Sequence, residues 1–293
     1  MISFCLFVFS PVFADSTIKT NYLKISLSPA TVKVGQSFTV FVESANQLKS
    51  IHLRCFGSQQ TIYKIWHKDH PHVYRAFLGV ALGSKPGTYK IEAEAVDTDG
   101  ESLSIHESLQ VAKTIFGVQS IQLPKRKRSL LNAKQLQEEG KILGSKMEIR
   151  DNRVYFSSHF SLPVKSRISS TFGLRRQYND GQFSSYHKGI DMANGKGTIV
   201  KAANGGKVSL VASMKSNGKI ILINHGHGIT SIYSHLGEFL VKEGEWVKKG
   251  QAIGKIGSTG ISNGPHLHFG ISVNDVRVDP QQWLNSQITL YYD

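Results

Sequence analysis

Two short segments far apart in the chain carry the same kind of side chain. The first holds His187 and Asp191, four residues apart, and the second holds His266 and His268 with one residue between them. Alternate residues of a strand share a face, so a strand would point His266 and His268 the same way. Gly189, between His187 and Asp191, favours an extended or looped segment over a helix. If the two segments converge on one site, they constrain the fold more than any other feature of the sequence.

Imidazole nitrogen and carboxylate oxygen are ligands that zinc favours, and a catalytic zinc site uses three protein ligands with one position left open. His187, Asp191 and one histidine of the His-x-His pair would supply three ligands, which leaves the other histidine free to handle protons. A lone histidine is more often a surface or core residue, but here four groups lie in two tight clusters. A further histidine, His235, lies in the alternating run 231–236. The sequence therefore predicts a mononuclear zinc site.

The combination of motifs resembles the M23 family of zinc metallopeptidases, the lysostaphin and LytM-type peptidoglycan endopeptidases. The motifs are His-x3-Asp at 187–191, Tyr-Ser-His-Leu at 233–236 and Gly-Pro-His-Leu-His-Phe at 264–269, with the segment 168–175 and glycine-rich turns at 224–228 and 257–260. The likeness covers roughly residues 163–284. It implies that His187, Asp191 and His268 hold one Zn²⁺ per chain and that His235 and His266 handle protons and stabilise the transition state.

The chain reads as mainly β with three parts. Short alternating strands and a hairpin signal at Asp99-Gly100 predict a β-sandwich at 18–112, which resembles the immunoglobulin-like module found ahead of some M23 domains. Residues 113–160 form a short mixed linker with one helix predicted at 131–143. For residues 161–293 the resemblance implies a LytM-type antiparallel β-sheet with the metal in a groove across it.

The formal net charge of +14 is distributed unevenly. Residues 113–160 carry ten Lys/Arg and four Asp/Glu, and residues 161–293 carry fifteen and eight. A basic surface favours anionic partners such as nucleic acid, acidic lipid or an anionic cell wall. No nucleic-acid motif accompanies the basic run 124–128, so we expect no nucleic-acid partner. That run would contact the cell wall or a membrane surface, or it would be a plain solvated linker.

The N-terminus resembles a secretory signal. Residues 2–13 are apolar and too few for a typical transmembrane helix, and a small residue, Ala14, precedes Asp15, which predicts a signal peptide at 1–14. The segment lacks a basic start, which a translation start further upstream would explain; an unprocessed anchor is the alternative. Removal of Cys5 would leave Cys55 without an intramolecular partner. We expect a periplasmic monomer.

The resemblance implies hydrolysis of the peptide stems or crosslinks of peptidoglycan. The leader and the sandwich resemble proteins of diderm bacteria, which favours a D-Ala–diaminopimelate crosslink over a pentaglycine bridge. Arg175, Tyr178 and Tyr186 are candidates for the wall of the groove. The alternatives are a non-catalytic cell-wall-binding regulator on the same fold and a biotinyl- or lipoyl-type carrier, for which Met214-Lys215 lacks the usual second methionine.

Two hypotheses for the function of the linker remain open. It precedes the site directly, so one of its side chains could occupy the open metal position, with Glu138, Glu139, Glu148 and His159 as candidates. Alternatively, the sandwich and the linker only position the enzyme on the wall.

Overall fold

The computed structural model describes residues 22–179, 181 and 183–291. The expected signal peptide, 1–14 with Cys5, lies outside the described residues. Within them the chain is mainly β, as predicted, and no helix combines the length and apolar character needed to cross a lipid bilayer.

The N-terminal part is a β-sandwich. Its strands are β1 (Leu23–Ser28), β2 (Thr31–Lys33), β3 (Ser37–Ser44), β4 (Leu48–Cys55), β5 (Ser58–Gln60), β6 (Tyr63–Ile65), β7 (Val73–Gly79), β8 (Gly87–Asp97) and β9 (Ser102–Ala112). One sheet has the order β1-β3-β7-β6 and the other has the order β2-β9-β8-β4-β5. Phe38 and Val40 of the first sheet and Leu53, Ile91 and Leu109 of the second are fully buried in one shared core. The predicted hairpin at Asp99-Gly100 joins β8 to β9.

The linker contains more structure than the sequence predicted. It forms β10 (Val118–Ile121), a 3₁₀ helix (Lys125–Leu130) and α1 (Ala133–Met147). The Asn132 side chain caps α1 by accepting a hydrogen bond from the Gln135 N–H at 3.1 Å. The helix runs four residues beyond the predicted end because Leu143 and Met147 are buried together against Leu210, Leu222 and other apolar residues of the following sheet.

The C-terminal part is built on one large sheet. Its strands and helix, with the neighbouring short strands, are β11 (Ile168–Ser170), β12 (Arg175–Tyr178), β13 (Phe183–Tyr186), β14 (Ile190–Ala193), β15 (Ile199–Lys201), β16 (Gly206–Met214), β17 (Gly218–Gly226), β18 (Ile229–Phe239), β19 (Trp246–Val247), β20 (Ala252–Ile256), β21 (His266–Val273), β22 (Val276–Val278) and α2 (Pro280–Leu284). The central order is β11-β14-β21-β18-β17-β16-β19, and these pairings are antiparallel. A small separate sheet has the order β10-β12-β13, in which β10 runs parallel to β12.

Alternation along β21 separates the core from the site. Leu267 and Phe269 are fully buried, whereas His266 and His268 keep partial exposure on the opposite face. Ile190 and Met192 of the neighbouring β14 join Leu267 and Phe269 in the core. The predicted strand pattern therefore holds, and it leaves a face of the sheet for polar groups.

Candidate active site

Strand pairing brings the two predicted motifs together. β14 lies beside β21 with Asp191 opposite His268 and Ala193 opposite His266. Opposed residues of an antiparallel pair project from the same face, so the Asp191 and His268 side chains meet. His187 lies in the loop just before β14, where Gly189 approaches the Phe269 carbonyl too closely for a side chain: an added Cβ would lie 2.4 Å from that oxygen. Residues 187–189 are not helical, as expected for an extended or looped segment.

Three potential ligand atoms converge. The distance between His187 Nε2 and Asp191 Oδ1 is 3.0 Å, that between His187 Nε2 and His268 Nδ1 is 3.0 Å, and that between His268 Nδ1 and Asp191 Oδ1 is 2.9 Å. Ligands at zinc-bond lengths of 2.0–2.1 Å on a tetrahedral ion lie about 3.3 Å apart. Small outward shifts would therefore accommodate such an ion.

The chemistry of these donors also fits a cation. His187 Nδ1 donates a hydrogen bond to the Thr171 carbonyl at 2.7 Å, so the neutral ring presents a lone pair at Nε2. Burial lowers the pKa of His187 and lowers the pKa of His268 to about 3, which keeps both imidazoles neutral. Burial opposes ionisation of Asp191, but hydrogen bonds and charge interactions with His187 and His268 hold its pKa well below the usual range. The lone pair of His187 thus faces a carboxylate, an arrangement that a bound cation stabilises.

His266 and His235 lie beside this group with a ring nitrogen left free. His266 Nδ1 donates to the Gly264 carbonyl at 2.9 Å, and its Nε2 lies 3.8 Å from Asp191 Oδ1. His235 Nδ1 donates to the Thr259 carbonyl at 2.8 Å. The ring centroids of His235 and His266 are 4.9 Å apart. Each imidazole therefore carries its proton on Nδ1 and keeps Nε2 as an acceptor.

A local irregularity of β18 aims His235 at the site. Its φ is +63°, a left-handed conformation that is uncommon for a residue other than glycine. The register between β17 and β18 shifts at the same place, between Lys219 and Ile221. Bulges of this kind redirect a side chain and are frequent beside active sites. Burial holds the pKa of His235 well below its usual value, so the ring is neutral.

Arg176 is a site residue that the sequence reasoning missed. Its Nη2 donates to Asp191 Oδ2 and, at 3.0 Å, to Ser170 Oγ, while its Nε donates to Gln119 Oε1 at 3.0 Å. Asp191 thus offers one oxygen to the histidines and has the other held by Arg176. The signal that could have indicated Arg176 is the alternation along β12, because Arg175 is exposed and Arg176 is only partly exposed.

A cleft of about 570 Å³ opens in front of the histidines. Tyr178 and Tyr186 line it, as predicted for the groove wall, whereas the neighbouring Arg175 is exposed and does not line it. Helix α1 forms another wall through residues that include Leu136, Gly140 and Leu143. Residues of the large sheet and of the loops that join its strands complete it, among them His187, Lys188, Asn217, His235, His268 and Arg277.

The four acidic and histidine residues suggested as occluding groups have different positions. Among the described residues that line the cleft, none is Glu138, Glu139, Glu148 or His159. The Glu139 carboxylate binds the turn between β16 and β17. The basic run is also not a plain solvated tether, because Lys127 Nζ donates to the Ser258 and Ser262 carbonyls at 2.6 and 2.8 Å.

Comparison with known proteins bears on this geometry. Residues 185–280 match the model of Peptidase family M23. The C-terminal part that contains this stretch is here called the M23 domain. This stretch of the M23 domain includes His187, Asp191, His235, His266 and His268.

Relatives support the same assignment. An uncharacterised metalloprotease of Haemophilus influenzae is 37% identical over 124 residues, which are 42% of this chain and 26% of that protein. The peptidoglycan DD-endopeptidase ShyC of Vibrio cholerae is 40% identical over 116 residues, 39% of this chain and 27% of that protein. The chain therefore spans about a quarter of the length of these curated relatives, through its M23 domain.

A solved structure extends the likeness beyond the M23 domain. The crystal structure of a candidate M23 peptidase from Pseudomonas aeruginosa has a TM-score of 0.61 and 26% identity, and the match covers 84% of this chain and 92% of that one. The matched share of this chain is larger than residues 185–280, so the similarity includes part of the N-terminal half. The immunoglobulin-like character of the sandwich stays a prediction.

Proposed function

We propose that this chain is a zinc-dependent endopeptidase that hydrolyses the peptide stems or crosslinks of bacterial peptidoglycan. The observation that carries the proposal is the convergence of His187 Nε2, Asp191 Oδ1 and His268 Nδ1 on one point beside a cleft, with two further histidines next to them. The M23 match and the DD-endopeptidase name of the Vibrio relative support the reaction and the substrate class.

His187, Asp191 and His268 would hold one zinc ion per chain. When bound, zinc acts as a Lewis acid on a carbonyl oxygen and lowers the pKa of water at its open position to about 7. With Asp191 as the single carboxylate among these ligands, the centre would stay net positive with zinc bound, which would favour negative charge on a carbonyl oxygen. Arg176 keeps Asp191 oriented by holding its second oxygen.

His235 and His266 carry the proton chemistry. Each has Nδ1 engaged with a main-chain carbonyl, so each accepts or returns a proton at Nε2. Protonated imidazole at these positions also donates a hydrogen bond to an oxyanion in the cleft. No serine or cysteine nucleophile is needed, and Cys55 is buried in the N-terminal sandwich.

A peptidoglycan substrate supports a location outside the cytoplasm. We infer that it acts in the periplasm as a monomer on the D-Ala–diaminopimelate type of crosslink, in line with the DD-endopeptidase relative. The exposed Lys125, Arg126 and Arg128 of the linker would favour an anionic wall or membrane surface. A carrier would have no use for His187, Asp191, His266 and His268. A non-catalytic wall-binding regulator on the same fold is the alternative that metal analysis and the hydrolysis assay test.

Metal analysis and peptidoglycan hydrolysis test the proposal together. Purified protein should contain one zinc per chain, and His268→Ala should lose it because two protein ligands remain. His235→Ala and His266→Ala should keep zinc while hydrolysis falls by roughly 10²-fold or more, the usual scale for loss of an acid–base group. His106→Ala, on the exposed side of β9, is the control and should match the parent protein. Full zinc retention by His268→Ala would refute the ligand assignment.

A further inference from the structure

Three side chains from residues 117–147 contact the strands and loops that orient the site. This segment, the docked linker, precedes the stretch matched to the M23 family model. The side chains are Gln119 of β10, Lys127 of the 3₁₀ helix and Glu139 of α1. Each contact leads to a different site residue.

Gln119 contacts the group that holds Asp191. Its Oε1 accepts hydrogen bonds from Arg176 Nε and from Ser170 Oγ, both at 3.0 Å. Arg176 in turn donates to Asp191 Oδ2. The parallel pairing of β10 with β12 places Gln119 opposite Arg176, so the linker strand fixes this contact.

Lys127 holds the loop that precedes β21. Its ammonium group bridges the Ser258 and Ser262 carbonyls. The Ser262 hydroxyl donates to the Gly264 carbonyl at 2.7 Å, and the same carbonyl accepts from His266 Nδ1. The ring of His266 is therefore oriented by a loop that the linker fastens.

Glu139 makes the most extensive of the three contacts. Its carboxylate accepts from the Ser216 N–H at 3.2 Å, from the Ser216 hydroxyl and from Asn217 Nδ2 at 3.4 Å. The Asn217 carbonyl accepts from the His235 N–H at 3.0 Å. The main chain of His235 is thus tied to the turn that Glu139 binds, and its ring is tied to Thr259.

The environment of Glu139 stabilises its charged carboxylate form. Glu139 is 8% exposed, while its neighbour Glu138 is exposed. Burial alone would raise the pKa of Glu139, but hydrogen bonds from Ser216, Gln135 and Lys215 together lower it, so the group is a carboxylate. A buried charge is expensive unless it is paired or fully hydrogen-bonded, and here the turn between β16 and β17 supplies the donors.

We propose that Glu139 is a positioning residue that holds His235 in its catalytic orientation, with Gln119 and Lys127 doing the same for Asp191 and His266. The docked linker is then a part of the active site and not merely a tether or a plug. This inference rests on the proposed function, since it assigns a role in that reaction.

The test uses the full chain with Glu139→Gln and the matched control Glu138→Gln. The glutamine keeps the volume but places an NH₂ group against the donors of the turn. Zinc content, kcat and KM on a soluble crosslinked muropeptide are measured for each. In addition, ¹⁵N-histidine NMR of the metal-free protein reports which ring nitrogen of His235 carries the proton, independently of activity.

We expect Glu139→Gln to keep one zinc per chain, to lower kcat about 10-fold or more and to change KM by less than about 2-fold, because a small misplacement of a catalytic group is costly in rate. The His235 ring should lose its single Nδ1–H form in the same variant. Glu138→Gln should match the parent protein in every readout.

Other outcomes distinguish failure of the positioning role from failure of the proposed function. Parent-like kcat and an unchanged His235 ring in Glu139→Gln would overturn the positioning role. An inactive parent protein would overturn the proposed function, while the NMR readout would still decide the positioning of His235. If Glu139→Gln fails to fold, Glu139→Asp provides the same test of His235. The pair Lys127→Met and Lys125→Met tests the corresponding role for His266 by the same kinetics and by NMR of the His266 ring, since Lys125 is exposed and Lys127 is not.

Discussion

His225 shows how a single histidine of the M23 domain serves structure and not catalysis. It is fully buried; Nδ1 donates to the Gly205 carbonyl at 2.6 Å, and Nε2 accepts from the Ser231 hydroxyl at 2.7 Å. Burial lowers its pKa to about 4, so the folded protein keeps the ring neutral. The unfolded chain has an ordinary histidine pKa of about 6.5 and therefore binds more protons between about pH 4 and pH 6.5.

The stability of the metal-free protein should accordingly fall as the pH drops from about 6.5 towards 4. Each buried neutral histidine contributes up to about 1.4 kcal/mol per pH unit in this window, a contribution that is complete above the unfolded pKa. Urea unfolding at several pH values measures the slope, with a chelator present to remove metal effects. His225→Gln, whose amide can make both hydrogen bonds, should show a shallower slope. Parallel slopes for the two proteins would contradict this account.

At the scale of elements, two turns interlock behind His235. Gly218 opens β17 with φ of +65°, and a Cβ added there would lie 2.2 Å from Thr259 Oγ1 and 2.5 Å from the Thr259 carbonyl carbon. Gly260 approaches the same turn, with an added Cβ 2.4 Å from the Gly218 nitrogen. The two turns can approach this closely because both residues are glycines. The contact fixes the position of Thr259, whose carbonyl accepts the hydrogen bond that orients the His235 ring.

Gly218→Ala should therefore destabilise the fold more than an alanine at an equally left-handed but open position. Gly244 is that control, because its φ is +85° and an added Cβ meets nothing within 4 Å. We expect Gly244→Ala to cost about 1–2 kcal/mol from backbone strain alone. Gly218→Ala should cost about 1–3 kcal/mol more from the clash with Thr259. Urea unfolding measures both, and equal losses would show that Thr259 moves aside freely.

At the scale of the whole molecule, the sandwich and the M23 domain share a buried interface. The Ser37 N–H donates to Gln282 Oε1 at 2.8 Å, and Gln282 Nε2 donates to the Ser37 carbonyl at 2.7 Å. Arg75 of β7 donates to the Leu290 carbonyl and to His227 Nδ1. Phe77, also on β7, packs in the core of the M23 domain. The two parts are therefore expected to unfold together.

Calorimetry tests this with Gln282→Ala and the neighbouring Gln281→Ala as a control. The first variant leaves the Ser37 main chain without partners at a buried interface, which costs about 1–3 kcal/mol for each unpaired group. The parent protein should give one transition, and Gln282→Ala should shift the whole transition to lower temperature. Gln281→Ala should shift it little. Two transitions, of which Gln282→Ala moved only one, would show that the parts unfold independently.

Much of this architecture could be predicted because its signals are local. Alternating apolar residues predicted β3, β8 and the central strands, and Asp99-Gly100 predicted its hairpin. The spacing of His187 and Asp191 and of His266 and His268 indicated one metal site before any contact was known. A period of two residues and a short motif depend on neighbouring residues, so the sequence alone determined the β class and the candidate ligands His187, Asp191, His266 and His268. The choice of His268 over His266 as the third ligand came from the resemblance to the M23 family.

Only the tertiary structure decided how the site is oriented. Contacts from Gln119, Lys127 and Glu139 to the strands and loops of the site join residues 57 to 135 positions apart in the chain. The end of α1 likewise depends on burial of Met147 against the sheet. No periodicity predicts such pairs, because each depends on how whole elements pack. A segment that looked like a basic linker in sequence thus became a wall of the candidate active-site cleft in the fold.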